Sequence, residues 1–598
     1  MMRLHALLLF GASVLSAPAA AQSLRDRLPE DEVLYFLLPD RFENGDTAND
    51  RGGLKGDRLV TGYDPTHKGF FHGGDLVGLT RRLDYIQALG ATAIWVGPIF
   101  RNKPVQGPPG QESAGYHGYW VTDFTRVDPH FGTNAEFKAL VDAAHARGIK
   151  VYMDIIANHT ADVIRYRECG GCEYRGRADY PYGRKGGGKG EAINPGFVGD
   201  QAQTAENFAR LTRPDYAYTP FVPPAEKDVK RPAWLNDPIY YHNRGNSTFT
   251  GESSLLGDFV GLDDVMTENP RVIAGMVEIF GSWIDRFGID GFRIDTARHV
   301  NPEFWAAFVP AMLERAKAKG IPNFHIFGEV ADPDTSALAR HTRVDRLPAV
   351  LDFAFARAVN AVSAGEAGTD RLATVFAADP LYEGGEATAR RLPTFLGNHD
   401  QGRAAFFIRK ANPKASAEEL LARDRLAHAM LLLLRGVPTI YSGDEQGFVG
   451  DGGDQDARED MFASRVAVYN DNQLLGTNKT NATANFDTDH PLFREIATLA
   501  KLRRAHPALT RGRQQLRFAG DKPGLFAVSR FDPVVGNEYL IAFNSSPQPW
   551  TGNIEVETGS TAFTALAGTC PAGAAAPGSI ALSLPAFGYA VCAAGKPQ

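Results

Sequence analysis

Four short polar segments, each at the end of an apolar run, hold the residues that could do chemistry. They are residues 154–159, 291–295, 327–330 and 395–400. Asp295, Glu329 and Asp400 lie in the last three segments. A single acid at such a place could cap a helix or pair with an arginine, but several like charges held close together repel each other. Three carboxylates that meet in one place therefore indicate a catalytic site with shifted ionisation.

The middle of the chain alternates short apolar runs with helical stretches, which is typical of repeated β-α units. The predicted strands are residues 33–38, 93–98, 151–156, 291–294, 324–327, 349–353, 394–396 and 439–441. Eight parallel strands joined by helices predict an α/β fold, the closed (β/α)8 TIM barrel, whose reactive groups gather at the C-terminal strand ends. The three acids follow the fourth, fifth and seventh strands, so we expect them at one mouth.

Two regions depart from this barrel pattern. Residues 160–270 follow the third strand, are too long for one crossover, and contain many Gly, Pro and aromatic residues. Such a long excursion is usually functional, and we predict an inserted domain (domain B) beside the mouth. The remaining barrel would comprise residues 22–159 and 271–509, and the short alternating runs of residues 510–598 predict a C-terminal antiparallel β-domain, a sandwich.

Taken in order, the four polar segments resemble the signature regions of the alpha-amylase family of glycoside hydrolases (family 13). The likeness runs from about Glu32 to Ala590. The resemblance implies that Asp295 is the nucleophile, Glu329 the general acid/base and Asp400 the transition-state stabiliser, as retaining glycosidase chemistry requires.

Neighbouring charges should set the ionisation of these acids. Arg293 lies two residues before Asp295 on the same strand face, so we expect it to hold that carboxylate ionised. Glu329, beside two other acids, should be driven towards its protonated form.

Further residues would bind sugar if the resemblance holds. The segment 116–120, which includes His117, resembles the aromatic floor of the family. The resemblance implies that Tyr119 stacks on the sugar. Without the neighbouring acids, this segment would instead be interpreted as part of the packed core. Arg298 and His299 resemble a Lys-His pair near the leaving-group subsites of alpha-amylases. The other expected sugar-binding residues are His159, His399 and, on the opposite side, Arg403.

Calcium is the metal that the resemblance implies, because the candidate ligands are all oxygen atoms. The loop 43–50, together with Gly73 and Asp75, resembles the N-terminal calcium loop of cyclodextrin glucanotransferases and neopullulanases; an acidic turn is the alternative. The expected ligands of this first site are Asn44, Asp46, Asn49, Asp50, Gly73 and Asp75. A second site, which would tie the inserted domain to the barrel, would use Asn158, Asp258 and the carbonyl of His299.

Composition and charge favour an exported enzyme with a neutral or cationic partner. The 63 basic and 70 acidic residues give a net charge of −7, without the basic patch that nucleic acid or an anionic membrane would need. Residues 1–21 combine Arg3, an apolar core and Ala19-Ala20-Ala21, which predicts a signal peptide; a buried strand or lipid anchor is the alternative. No later run reaches the roughly 18 apolar residues of a membrane span. We therefore expect a monomer in the periplasm or the medium.

The four cysteines are consistent with export. Cys169 and Cys172 form a close pair, and Cys570 and Cys592 lie near the C-terminus, so we predict two disulfides. For the first pair, half of a zinc or redox site is the alternative.

We predict an alpha-amylase that cleaves α-1,4 links in starch, glycogen or maltodextrins. A neopullulanase, a cyclomaltodextrinase or an α-glucanotransferase is the alternative. The first barrel strand begins about ten residues after the predicted signal, which we interpret as leaving no room for the N-terminal β-domain of neopullulanases. A non-catalytic member of the family is a third possibility, but this chain carries all three acids.

Overall fold

The computed structural model describes residues 23–595, so the predicted signal peptide at residues 1–21 lies outside the described residues. Within residues 23–595, no helix is both long and apolar enough to cross a membrane.

A parallel β-barrel forms the centre of the molecule. Its strands are β1 (Leu34–Leu37), β2 (Ala93–Val96), β3 (Lys150–Ile155), β4 (Gly291–Ile294), β5 (His325–Gly328), β6 (Pro393–Thr394) and β7 (Val437–Tyr441). They pair in the order β5-β4-β3-β2-β1-β7-β6, all parallel. Their side chains are buried throughout, as expected for strands that face a packed interior on one side and helices on the other. The predicted barrel fold is confirmed.

The prediction of a full strand at residues 349–353 is wrong, and a single parallel bridge between Gly328 and Val350 takes its place. The amide of Leu351 donates to the carbonyl of Gly328, and the amide of Asp352 donates to that of Pro393. The strand ends there because Asp352 caps the helix Phe353–Ala364 by accepting the amide of Phe355. The ring therefore closes between β5 and β6 through very few hydrogen bonds.

Helices cover the outside of the barrel. The longer ones are Asn134–Ala146, Pro270–Phe287, Pro302–Ala318, Thr335–Arg343, Phe353–Ala364, Asp370–Ala377, Ala404–Ala411, Ala417–Leu433 and Pro491–Ala505. Shorter α-helices are Pro39–Phe42, Arg58–Thr61, Leu76–Arg81, Leu83–Ala88, Ala205–Phe208, Ser253–Leu256, Glu386–Ala389, Ala467–Asn470 and Pro507–Arg511. The sequence sets their ends locally: Pro270–Phe287 begins with an Asn269 cap and Pro at its first position, and ends at Gly288, whose φ is +69°.

Residues between β3 and helix Pro270–Phe287 form a loop-rich region on the mouth side. Two antiparallel pairs brace it, His159–Thr160 with Asp263–Asp264 and Arg165–Tyr166 with Pro220–Phe221. It has a small apolar cluster of its own, which includes Tyr182, Phe208 and Tyr216. The predicted disulfide between Cys169 and Cys172 is present. Two further hairpins, Phe100–Asn102 with Val121–Val127 and Val105–Gln106 with Ser113–Ala114, lie between β2 and β3.

The C-terminal residues form antiparallel sheets, as predicted. The strands are β8 (Arg513–Phe518), β9 (Leu525–Phe531), β10 (Glu538–Asn544), β11 (Trp550–Glu555), β12 (Phe563–Ala567), β13 (Ser579–Leu584) and β14 (Tyr589–Ala594). Five of them pair in the order β8-β9-β10-β14-β12, and β11 pairs with β13. The predicted Cys570–Cys592 disulfide is present and joins β14 to the loop after β12.

Candidate active site

Register places the acids of neighbouring strands at one level of the barrel. Arg293 on β4 lies beside Asp154 on β3. Asp295 is the first residue after β4, and its amide donates to the carbonyl of Ile155. Glu329 follows β5 directly, and its amide donates to Ile294 in the same way. The carboxyl ends of the strands therefore bring these side chains to the C-terminal mouth.

The guanidinium of Arg293 is the hub of the site. Its Nη1 donates to Asp154 and to Asp295, each at 2.9 Å, and its Nη2 lies 2.9 Å from Glu329 Oε2. Arg293 is completely buried, and the three acids are at most 8% exposed. One cation thus faces three buried carboxyl groups, so they cannot all be ionised cheaply.

The ionisation of Glu329 and Asp295 follows from this arrangement. Burial raises the pKa of Glu329, and the charges of Asp295 and Asp400 raise it further, against the opposing effect of Arg293. Burial also raises the pKa of Asp295, although Arg293 lowers it. The net pKa of Asp295 is raised to about 7, so Arg293 offsets the effect of burial only in part, and the expectation that it holds this carboxylate ionised is not met by its charge alone.

Backbone strain helps to position Glu329. Thr296 has φ +45°, a left-handed conformation that is unfavourable for a β-branched residue. In this conformation its amide donates to Glu329 Oε2 at 3.1 Å. Such strain is typical of positions where the surroundings fix a functional geometry.

Asp400 lies in the loop after β6 and has an arginine of its own. Arg458 Nη2 donates to Asp400 Oδ1 at 3.0 Å, and His399 Nε2 lies 3.3 Å from its other oxygen. Desolvation works to raise the pKa of Asp400, but the neighbouring His399 and the positive charges of Arg458 and Arg293 outweigh it and lower that pKa. Its side chain is 45% exposed towards the cleft, unlike the other acids. Asp400 is therefore ionised and accessible.

An aromatic wall faces the acids. The rings of His117, Tyr119 and His399 stack nearly parallel, with centroids about 5.5 Å apart. The hydroxyl of Tyr119 lies 2.7 Å from His399 Nε2 and 3.2 Å from Asp154 Oδ2. Burial lowers the pKa of His399 to about 3, so this imidazole is neutral at neutral pH.

An open cleft of about 550 Å³ joins the wall to the acids. His159 also lines the cleft; it packs against Phe259, and burial lowers its pKa to about 3. Arg298 and His299 line the far side, where Arg298 donates to the carbonyl of Ala331 and His299 Nδ1 to that of Ser254. The cleft volume and its few convergent polar groups are typical of a small-molecule site.

Arg403 is not part of the cleft, which corrects its prediction as a sugar-binding residue. Its side chain is 1% exposed and donates to Glu459 and Asp444, at 2.7 Å each. Because this guanidinium is buried and does not line the cleft, it cannot reach a sugar bound there.

Comparison with known proteins agrees with this geometry. The family profile described as "Alpha amylase, catalytic domain" matches residues 36–512. The chain belongs to the alpha-amylase family. It is 49% identical over 515 residues to an alpha-amylase of Streptomyces lividans, covering 86% of this chain and 55% of that protein.

More distant relatives extend the comparison within the family. A cyclomaltodextrin glucanotransferase of Niallia circulans is 26% identical, over 84% of this chain and 58% of that protein. A crystal structure of an Anoxybacillus alpha-amylase has a TM-score of 0.68 at 26% identity, and covers 96% of this chain and 99% of that one. The chain spans little more than half the length of these two curated relatives.

Members of the alpha-amylase family often bind calcium, and the N-terminal loop of this chain fits a cation in part. In the described part of the chain, the buried Oδ1 atoms of Asn44 and Asn49 have no hydrogen-bond partner. A Cβ on Gly73 would come within 2.7 Å of Asp50 Oδ1, so only glycine leaves this space open. Asp46 contacts the loop backbone through the amide of Ala48. Amide and carboxylate oxygens are the kinds of ligand that calcium prefers, and these residues would supply only part of its six to eight ligands.

Asp75 has a different role from the one predicted. Its two oxygens accept from the amides of Gly45, Asp46 and Gly78 and from the side chain of Asn49, so its lone pairs are in use. It orders the loop through the backbone. Within residues 23–595, no group of three or more His, Cys, Asp and Glu is arranged to hold a metal.

The second predicted calcium set also contacts protein groups, but each carboxylate oxygen of Asp258 accepts one hydrogen bond and so keeps a lone pair for a ligand. Asp258 accepts from the hydroxyl of Tyr166 at 2.6 Å and from the amide of Asp264. Asn158 contacts His159 through its side chain. The Asp258 carboxyl is buried near Asp263 and Asp264. Burial raises the pKa of Asp258 to about 7, and the charges of these two acids act in the same direction.

Sequence reasoning missed two functional side chains in the site. Asp154 stands at the head of the first polar segment, and its burial beside Arg293 becomes evident only from strand register. Arg458 lies 58 residues from Asp400, beyond the last barrel strand. The charged run 458–460 after β7 was a usable signal, because that strand also ends at the mouth.

Proposed function

We propose that this chain is an alpha-amylase-type retaining glycoside hydrolase that cleaves α-1,4-glucosidic bonds in starch, glycogen or maltodextrins. The observation that carries the proposal is the shared contact of Asp295 and Glu329 with one buried guanidinium, at the mouth of a cleft that also holds Asp400. Two carboxyl groups held close together are the arrangement of glycosidases that work through a covalent intermediate. The likeness to an alpha-amylase at 49% identity supports the same reaction.

In the first step, Asp295 attacks the anomeric carbon and forms a covalent bond as the glycosidic carbon–oxygen bond breaks. Glu329, whose raised pKa favours the protonated form, gives its proton to the leaving oxygen. In the second step, Glu329 takes a proton from water, and the resulting hydroxide displaces Asp295. Each step inverts the carbon, so the product keeps the α configuration.

Other cleft residues would bind the sugar. Asp400, ionised and exposed, would accept the hydroxyls of the distorted ring, with His399, His117 and His159 near it. The apolar face of the ring would stack on Tyr119. Arg298 and His299 would contact sugar units on the leaving side.

Calcium would be held by the first loop through Asn44, Asn49 and Asp50, with Asp46 and the Gly73 backbone beside them. Asn158, Asp258 and the His299 carbonyl would form the second site. When bound, the ion supplies a structural cross-link between loops rather than a reacting group.

Export to the periplasm or medium is part of the proposal, together with a monomeric state. Two disulfides support the export, because such bonds persist in oxidising compartments. Transfer to another glucan is the second candidate function, favoured by the likeness to a cyclomaltodextrin glucanotransferase.

The test is the anomeric form of the product together with Asp295→Asn. Proton NMR of freshly cut maltodextrin should show α-anomer first, and D295N should lower kcat on the order of a thousandfold while keeping its Tm. Early β-anomer, or a folded D295N variant with more than about a tenth of the wild-type rate, would contradict the mechanism. Cyclic products as the main species would favour the transferase.

A further inference from the structure

The loop after β7 packs on the segment that carries Asp400, and its contacts reach both the backbone and the side chain. We call residues 450–460 the clamp loop. The amide of Asp454 donates to the carbonyl of Asp400 at 2.9 Å, and Arg458 Nε donates to the carbonyl of His399, also at 2.9 Å. Arg458 Nη2 then reaches Asp400 Oδ1 at 3.0 Å.

The clamp loop is itself anchored. Arg458 is 6% exposed, and its Nη1 donates to the hydroxyl of Tyr116. Beyond it, Asp460 lies 2.7 Å from the buried His72, and the amide of Met461 donates to the carbonyl of Arg41. The contacts with Tyr116, His72 and Arg41 therefore hold Arg458 and the end of the clamp loop in place against the barrel.

Strain and close contact mark the other end of the loop. Asp454 has φ +53°, a conformation that few residues other than glycine adopt. A Cβ on Gly453 would come within 2.3 Å of the carbonyl oxygen of Asp400, whereas a Cβ on Gly452 would meet its nearest atom at 3.7 Å. The backbone thus touches Asp400 at Gly453 and leaves room one residue earlier.

From these contacts we infer that Arg458 and the clamp loop are positioning elements, which fix Asp400 in its place for the transition state. This inference rests on the proposed function. Arg293 reaches Asp154, Asp295 and Glu329, so Arg458 is the arginine that hydrogen-bonds to the remaining acid. Because Arg458 also lines the cleft, direct contact with sugar is the competing role.

Neighbouring glycines give a matched test of the loop. Gly453→Ala places a methyl group against the Asp400 carbonyl, and we expect kcat on maltotetraose to fall at least tenfold with KM changed less than threefold. Gly452→Ala adds the same methyl group at ordinary van der Waals distance from its nearest neighbour, Asp456, so both kcat and KM should stay within twofold of wild type. Equal kcat in G453A and wild type would overturn the inference.

Double variants separate positioning from sugar contact. If Arg458 acts through Asp400, R458Q should lower kcat strongly alone but by less than twofold in the D400N background. R458K, which keeps the charge, should recover part of the lost rate. R298Q is the control, because Arg298 lines the same cleft without contacting Asp295, Glu329 or Asp400, and its effect should multiply with that of D400N.

The possible outcomes are distinct. Multiplying effects of R458Q and D400N would overturn the positioning role while leaving the proposed function intact. A folded but inactive wild-type enzyme on every α-glucan would overturn the proposed function itself, and the inference with it. The Tm of each variant distinguishes lost folding from lost activity, and an unfolded G453A leaves the R458Q cycle to decide.

Discussion

At the scale of the residue, the site depends on how two arginines divide four acids between them. Arg293 contacts Asp154, Asp295 and Glu329, whereas Arg458 contacts Asp400. Burial raises the pKa values in the first group, and positive neighbours lower the pKa of Asp400. These environments therefore separate Asp400, which is ionised, from Asp295 and Glu329, whose pKa values burial raises to about 7 each.

The pH dependence of activity should follow the ionisation of Glu329 and Asp295. The reaction needs Glu329 protonated, so kcat/KM should decrease on the alkaline side, as pH rises through the raised pKa of Glu329. It also needs Asp295 ionised, so kcat/KM should decrease on the acidic side, where Asp295 becomes protonated. In Glu329→Gln the alkaline decline should disappear. A nitrophenyl maltoside, whose leaving group needs no proton, makes this measurable because it still reacts with the variant. An unchanged alkaline decline in E329Q would mean that another group donates the proton.

At the scale of the element, most of the correct sequence predictions came from polar residues at the ends of apolar strands. The acids, Tyr119 and both disulfide pairs were predicted because each is a local feature at an apolar run or a close cysteine pair. Arg403 was misassigned because its partners Asp444 and Glu459 are more than 40 residues away. The predicted strand at 349–353 was too long because Asp352 caps the next helix and so ends the strand early. Side-chain hydrogen bonds of this kind compete with strand pairing.

Asp352 gives a stability prediction at this scale. It is fully buried, caps helix Phe353–Ala364, and binds Arg435 Nη1 at 2.5 Å. Asp352→Ala should lower the free energy of unfolding by about 2–4 kcal/mol, because it removes a helix cap and one hydrogen bond to the buried Arg435, which keeps Asp379 as its second partner. Ser416→Ala removes only a helix cap on an exposed helix start and should cost about 1 kcal/mol. Equal losses in denaturant titrations would show that the buried pair is unimportant.

At the scale of the whole molecule, ion binding would join segments that are far apart in the chain. Metal that binds the folded state raises stability by mass action, so calcium should raise the Tm and a chelator should lower it. The double variant Asn44→Ala/Asp50→Ala should abolish the part of the calcium-dependent increase in Tm that is due to the first loop. Asp258→Asn should abolish the part of that increase that is due to the second site. Elemental analysis of the purified protein checks occupancy, since trapped calcium can resist brief chelation. Metal-free protein with an unchanged Tm in excess calcium would exclude both sites.

The closure of the barrel has a consequence for how firmly the two central acids are held. Asp295 stands at the end of β4, which has a full strand on each side. Glu329 stands at the end of β5, whose outer flank is held by the single bridge at Val350. Asp295, the attacking group, thus follows a strand that is paired on both sides, whereas Glu329, the proton carrier, follows a strand with few hydrogen bonds along its outer edge. This difference matches the two roles. Asp295 must attack the anomeric carbon along one direction, whereas Glu329 must exchange a proton first with the leaving sugar oxygen and then with a water molecule.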